Sequence, residues 1–280
     1  MATFCFYHRA DLDGRCSGAI VKHVNGDAKM MPMDYNDPFP WEQIDPNDTV
    51  YMVDVSMPPG DMARLAKAST FIWIDHHQTA IAAIDKGIDG LRRVGAAGCE
   101  LTWEYLYGDK DVPRGVKLLG RYDVWDHTDQ KLWDEQIMPF QMGVKAQNTS
   151  PDNQAFWSKL FESSDEFIEK VMTVGGGVHS FQKESHKVAG ERTIFEGTFA
   201  GHKAVFSNNV GGSSDAFAGF FDPKKHAIMV GFYMNNQRKW IVSLRSTSNL
   251  DVSALAKARG GGGHQQAAGF TANDLSFIDS

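Results

Sequence analysis

Three short apolar runs that each stop on a potential ligand constrain this chain more than any other feature. Ala2 to Tyr7 ends at His8, Val50 to Asp54 (VYMVD) ends on its own aspartate, and Phe71 to Asp75 (FIWID) runs into Asp75-His76-His77. Between them, Arg15 to His23 and Gly60 to Ala68 carry helical spacing, so the order is strand, helix, strand, helix, strand. That order implies an α/β fold with a parallel sheet covered by helices on both faces. Open sheets of this kind gather their ligands beyond the carboxyl ends of the strands. All three endings fall there. Glu100 to Tyr107 and Arg114 to Gly120 then read as helices, with Asp123 following the second in RYDVWD.

The pattern changes twice further on. Residues 151 to 190 are polar, with Phe156, Leu160, Phe161, Phe167, Ile168 and Val171 at helical intervals, as in a helical connector. Past Gly190 the chain turns to period-2 or continuous apolar runs, Thr193 to Phe199, Ala204 to Asn208, Ala227 to Met234 and Trp240 to Leu244. Asn235-Asn236-Gln237-Arg238 between the last two predicts a hairpin. A helix over Val252 to Ala258 meets the glycines Gly260 to Gly263. The expected layout is a parallel-sheet domain over 1–148, a helical linker over 149–191 and a smaller mixed α/β domain over 192–280.

Composition sets limits. With 42% apolar residues over 280 positions there is material for two cores, and no run approaches the ~20 apolar residues of a spanning helix. Arg9, Asp11 and Asp13 interrupt the apolar start before a secretory h-region can form, and Cys5, Cys16 and Cys99 have no CxxC or zinc-finger spacing. A cytoplasmic location with free, buried thiols is therefore expected. The net charge of -7 argues against a basic groove for long nucleic acid. Residues 1–195 carry -9 and residues 196–280 carry +2, so an anionic substrate near the acidic part would require bound cations.

His8, Asp11, Asp13, Asp54, Asp75, His76, His77 and Asp123 together supply carboxylates and imidazoles at strand ends. Singly, an Asp at such a place is a helix cap or turn former. Jointly, clustered carboxylates repel one another unless a cation lies between them. An oxygen-rich set with a few imidazoles suits two divalent cations, Mn²⁺ first, with Mg²⁺ or Co²⁺ as alternatives. The charges of Asp11, Asp13, Asp54 and Asp123 would balance two such ions, which together activate water and stabilise a leaving oxygen in phosphoryl transfer.

A second constellation lies near the C-terminus. Arg245 closes the predicted strand WIVSLR, and GGGGHQQAAGF follows the next helix from Gly260 to Phe270. Consecutive glycines let amides converge on an anion, Ala267 and Ala268 permit a close helix approach, and Arg245 offers a bidentate phosphate grip. Asn208, Asn209, Ser213 and Ser214 form another polar cluster, read as loop.

With these motifs in their order, the chain resembles the DHH phosphoesterase family, named for the triplet present as Asp75-His76-His77, and GGGHQQAAG resembles the signature of the DHHA1 domain that accompanies it. The resemblance runs over nearly the whole chain and points to the short-linker, nano-RNase or oligoribonuclease-like branch. It implies His8 and Asp11 on one ion, Asp13, His76 and Asp123 on the other, and Asp54 bridging. His77 would face the scissile phosphate, and Asp75 would orient the His pair. Related sequences commonly place the first His two or four residues before the Asp; here the gap is three. Arg245, Gly262, Gly263 and His264 would bind substrate across a cleft.

The expected activity is a two-metal phosphodiesterase or exonuclease, with His77 and Asp54 catalytic, that cuts short RNA or linear or cyclic dinucleotides to mononucleotides. The alternatives are a 3′-phosphatase for adenosine 3′,5′-bisphosphate and, in another class, a non-catalytic nucleotide sensor or RNA-binding module. Pyrophosphatases of this kind carry a different second domain, and neither a long nucleic acid nor a membrane partner is expected. A homodimer is compatible. Trp125, Trp133, Phe140 and Trp157 are read as core for the most part, with base stacking or a subunit contact as the other uses.

Overall fold

A computed structural model describes all residues except 36, 85, 86 and 209–213; Asn209 and Ser213 of the polar cluster lie outside the described residues. The chain divides into two compact units, Met1–His179 and Ser180–Ser280. The division falls within the segment expected as a helical connector.

In the first unit, strands β1 (Thr3–His8), β2 (Lys29–Met33), β3 (Thr49–Val53) and β4 (Thr70–Ile74) form a sheet in the order β2-β1-β3-β4, with every pair parallel. The helices are α1 (Leu12–Val24), α2 (Pro59–Ala68), α3 (Gln78–Ala83), α4 (Gly98–Tyr107), α5 (Arg114–Asp123), α6 (Gln130–Leu132), α7 (Met138–Lys145), α8 (Gln154–Glu162) and the part of α9 (Asp165–Thr193) up to His179, with a π-helical turn over Trp133–Ile137. Alternation along β1 decides which face each side chain joins. Phe4 and Phe6 pack with Met52, Trp73 and α2 residues Met62 and Leu65. Cys5 and Tyr7 pack on the other face with Val21 of α1 and Leu101 of α4. Both faces are covered, as the parallel order requires.

The expected strand-helix alternation holds, with instructive differences. The helix predicted from Arg15 starts at Leu12, because Asp11 caps it by accepting from the Gly14 amide at 2.9 Å. Asp123 is the last residue of α5 and does not follow it. Strand β2 (KMMPM) escaped the sequence reading because Pro32 interrupts it. A proline fits at a sheet edge. The carbonyl of Met33 accepts from the Arg9 amide, so Met33 turns its peptide groups toward β1 and Pro32, one residue earlier, turns its nitrogen outward.

The helical layer behind the sheet closes at glycines. A Cβ on Gly143 would stand 2.0 Å from the Val171 carbonyl, and one on Gly175 would stand 1.7 Å from the Pro139 carbonyl, so α7 and α9 touch backbone to backbone. Trp133, Phe140 and Trp157 are buried in this layer, as expected for most of the four aromatics; Trp125 is 56% exposed.

The second unit holds β5 (Ile194–Phe199), β6 (His202–Ser207), β7 (Ile228–Met234), β8 (Trp240–Arg245), β9 (Gly262–His264), β10 (Ala267–Ala272) and helix α10 (Val252–Lys257). The six strands run in the order β5-β6-β7-β8-β10-β9. Only β6 and β7 pair in parallel, so the sheet is mixed. The predicted hairpin joins β7 to β8. The glycine-rich segment corrects the sequence reading in one respect. Gly262 to His264 and Ala267 to Ala272 are strands, so the close helix approach at Ala268 is that of α10, through Val252 and Ala256, onto β10.

Candidate metal centre

The C-terminal ends of β1, β3 and β4 place His8, Asp54 and the Asp75-His76-His77 triplet side by side, while the turn into α1 supplies Asp11 and Asp13 and the end of α5 supplies Asp123. The β1–α1 turn is tight. A Cβ on Gly14 would lie 2.2 Å from the His8 carbonyl, so only glycine permits the chain to fold back there. Asp54 sits just past β3 with φ +59°, a left-handed backbone that costs a non-glycine residue about 1–2 kcal/mol. Its amide donates to the Ile74 carbonyl, which holds the strained residue in register.

Three groups of ligand atoms lie within ion reach: His8, Asp11 and Asp54; Asp13, His76 and Asp123; and Asp54, His76 and His77. Asp54 belongs to two of them. His8 Nδ1 lies 2.8 Å from Asp11 Oδ2 and 3.6 Å from Asp54 Oδ2. The three-residue gap from His8 to Asp11 therefore brings the pair together. His76 Nε2 lies 3.2 Å from Asp54 Oδ1, 3.4 Å from Asp123 Oδ2 and 3.7 Å from Asp13 Oδ2.

Asp75 is occupied otherwise. It is fully buried, its Oδ1 accepts from the His76 and His77 amides and from His77 Nδ1 at 2.7 Å, and its Oδ2 accepts from the Trp73 indole. It therefore fixes the His77 ring, leaving Nε2 as that ring's outward nitrogen.

Electrostatics show what the cluster lacks. Burial, and then the neighbouring Asp54 charge, push Asp13 up to about 8; burial and the Asp13 charge push Asp123 up to about 8. Asp54 is raised by burial, against hydrogen bonds from His76 and His8. Burial opposes charge on His8 and His76 as well, but the surrounding carboxylates outweigh it and raise them to about 10 and about 9. Asp11 moves down, since its contact with His8 overcomes burial. Protons thus occupy a site whose acids crowd one another. Asp54 Oδ1 and His8 Nδ1 are buried without a well-directed hydrogen bond. Hard oxygens, imidazole nitrogens and orphaned lone pairs at these distances fit divalent cations.

Three participants were missed from sequence. Asp34, after β2, places Oδ1 3.5 Å from His8 Nε2. The amides of Gly98 and Cys99, at the start of α4, each donate to Asp13 at 2.7 Å. Gly98 also gives space, since a Cβ there would stand 2.9 Å from Asp54 Cβ and 3.1 Å from Asp13 Oδ2. Gly98 stands two residues before the helix predicted from Glu100 to Tyr107, so no local signal marked it.

Arg245, Gly262, Gly263 and His264 lie in the second unit. Arg245 pairs in register with Ala267, and Ala267 with His264, so Arg245 and His264 share one row across β8, β10 and β9. The Arg245 guanidinium is part-buried, which lowers its pKa. The glycines divide. Gly263 (φ +139°) packs on β10, where a Cβ would meet the Ala267 carbonyl at 2.5 Å, whereas Gly262 faces open space.

Residues 199–280 match the DHHA1 domain model. Across 97% of this chain and 93% of the other, the fold is shared with a pGpG-specific phosphodiesterase, PggH, of Vibrio cholerae, at TM-score 0.56 and 14% identity. The C-terminal part of the chain is a DHHA1 domain. An exopolyphosphatase-related protein of Bacteroides fragilis superposes on this chain at TM-score 0.51 with 13% identity, over 98% of this chain and 87% of that one. In sequence, the uncharacterized protein R106 of Acanthamoeba polyphaga mimivirus is 26% identical over 234 residues, 80% of this chain and 53% of that protein. The chain thus spans about half the length of that relative. Among the described residues, no helix is long and apolar enough to cross a membrane.

Proposed function

We propose that this chain is a metal-dependent phosphodiesterase of the DHH/DHHA1 kind that hydrolyses very short nucleotides, oligoribonucleotides of a few residues or linear or cyclic dinucleotides. The observation that carries the reading is the convergence of His8, Asp11, Asp13, His76 and Asp123 around a buried Asp54 common to two ligand groups. Two divalent ions, Mn²⁺ by donor chemistry, would be held by His8, Asp11 and Asp54 on one side and by Asp13, His76, Asp123 and Asp54 on the other. When bound, they supply Lewis acidity toward phosphoryl oxygens and lower the pKa of water.

The chain's own groups do the rest. His77, with Nδ1 held by Asp75, presents Nε2 for donation to a phosphoryl or leaving oxygen. Burial opposes its charged form, but the Asp75 contact prevails and raises its pKa, which favours the donating imidazolium. Within the second unit, Arg245 offers a guanidinium fork suited to a phosphate, and the open side of Gly262 leaves its backbone accessible to an anion. The shared fold with a pGpG-specific phosphodiesterase supports a dinucleotide-sized substrate.

The test is a Mn²⁺ assay of a linear dinucleotide, five-residue RNA, cyclic dinucleotide, adenosine 3′,5′-bisphosphate and pyrophosphate, with Asp54→Ala alongside. Turnover of one of the first three, falling on the order of 10²–10³-fold in D54A, is expected. Preference for the bisphosphate would make the chain a phosphomonoesterase. Tight nucleotide binding with no cleavage would make it a sensor.

A further inference from the structure

Trp125 is the most exposed aromatic among the described residues of the first unit, ahead of Tyr35. The loop after α5 holds it 56% exposed at φ +56°, a backbone conformation that bulky residues rarely adopt. The loop is well tied. The Trp125 amide donates to the Tyr122 carbonyl, the Asp126 amide donates to the Arg121 carbonyl, and Asp126 pairs with Arg121 at 3.7 Å. Beneath it, Tyr122 and His127 stack on the buried Trp133 with ring centroids 5.5 and 3.8 Å away. Trp125 meets these rings tilted or edge-on, with Trp133 at 5.1 Å and 66° and His127 at 4.9 Å and 59°. Among the described residues, no ring lies parallel to the Trp125 indole at stacking distance.

The position gives this ring its meaning. Trp125 follows Asp123 by two residues, so their Cα atoms are within about 7 Å, and Asp123 Oδ2 is 3.4 Å from His76 Nε2 in the candidate metal centre. We infer that Trp125 is a stacking platform for a nucleobase of the substrate whose phosphate is held at that centre. A braced, exposed indole offers a π-face to any base without reading its identity. The proposed substrate thus becomes one that carries a base next to the scissile phosphate, rather than a bare polyphosphate. The inference rests on the nucleotide reading above.

The experiment separates the two. Wild type, Trp125→Ala and Trp125→Phe are compared on a linear dinucleotide and on its abasic analogue, which keeps the sugars and phosphates. Wild type is expected to favour the dinucleotide in kcat/KM. That preference should shrink about 5- to 150-fold in W125A and largely return in W125F. Equal preference in wild type and W125A overturns the inference. If wild type cleaves no phosphoester, the catalytic reading fails. The platform is then judged by equilibrium binding of guanosine and adenosine monophosphates in Mn²⁺: weakening in W125A with rescue in W125F upholds it, and an unaffected W125A, or no binding by wild type, overturns it.

Discussion

Gly98→Ala adds one methyl group at the most crowded point of the centre. Its Cβ would lie 2.9 Å from both Asp54 Cβ and Asp54 Oδ1, and 3.1 Å from Asp13 Oδ2. Carbon pairs prefer 3.5–4.0 Å, so one partner must retreat by roughly 0.5–1 Å. Asp54 cannot do so by changing rotamer, because the nearest atom is its Cβ, anchored on a left-handed backbone and 1% exposed. Nor can α4 withdraw freely, since the Gly98 and Cys99 amides hold Asp13. Overpacking of this kind costs about 1–3 kcal/mol, or a fall in Tm of roughly 2–12 °C for a unit of this size. Because the displaced atoms belong to candidate ligands, Mn²⁺ affinity should drop about 10- to 100-fold as well. Calorimetric melting and Mn²⁺ titration read the two effects. Gly177→Ala, in α9 with nothing within 4 Å, is the control; it should gain about 0.5–1 kcal/mol. A G98A protein that melts with wild type and binds Mn²⁺ within about twofold of it would refute the argument.

Two further outcomes follow from the site and the sheet. Asp13 and Asp123, raised to about 8, and His8 and His76, raised to about 10 and 9, all bind protons more tightly folded than unfolded. Metal-free protein should therefore lose stability as pH rises, through the carboxyls from about pH 4 to 8 and through the imidazoles from about 6.5 to 10. Denaturant midpoints of chelator-treated protein at pH 5, 7 and 9 should fall in that order, and Mn²⁺ should flatten the trend; a rise with pH would contradict it. In the second unit, Gly263→Ala should destabilise by about 1–3 kcal/mol, because its Cβ meets the Ala267 carbonyl at 2.5 Å. Gly262→Ala should melt near wild type; equal losses in both would show that packing on β10 is not what Gly263 serves.

What could be read from sequence was whatever one element carries by itself. A β-branched run that stops at Asp54 or Asp75 announces both a strand and its chemical end, and Asp11, Asp13 and Gly14 declare a capped turn within four residues. Strand β2 was illegible because Pro32 denies it a strand signature, and β9 and β10 because Gly262, Gly263 and Ala268 have almost no side chain with which to show a period of two. Asp34 and Gly98 were missed for a different reason. Each matters only for what the fold brings beside it, His8 in one case and Asp13 with Asp54 in the other, and nothing local marks them. Trp125 could be seen as an aromatic, but RYDVWD advertises neither its exposure nor its left-handed backbone.

Pro32 has a bearing on assembly. With its ring where a donor would otherwise project from the rim of the first sheet, β2 offers an incoming strand a broken template. Annexing another chain by strand addition on that side, and the runaway fibre growth it invites, is discouraged by a single imino acid. Assembly by strand addition would have to use another edge.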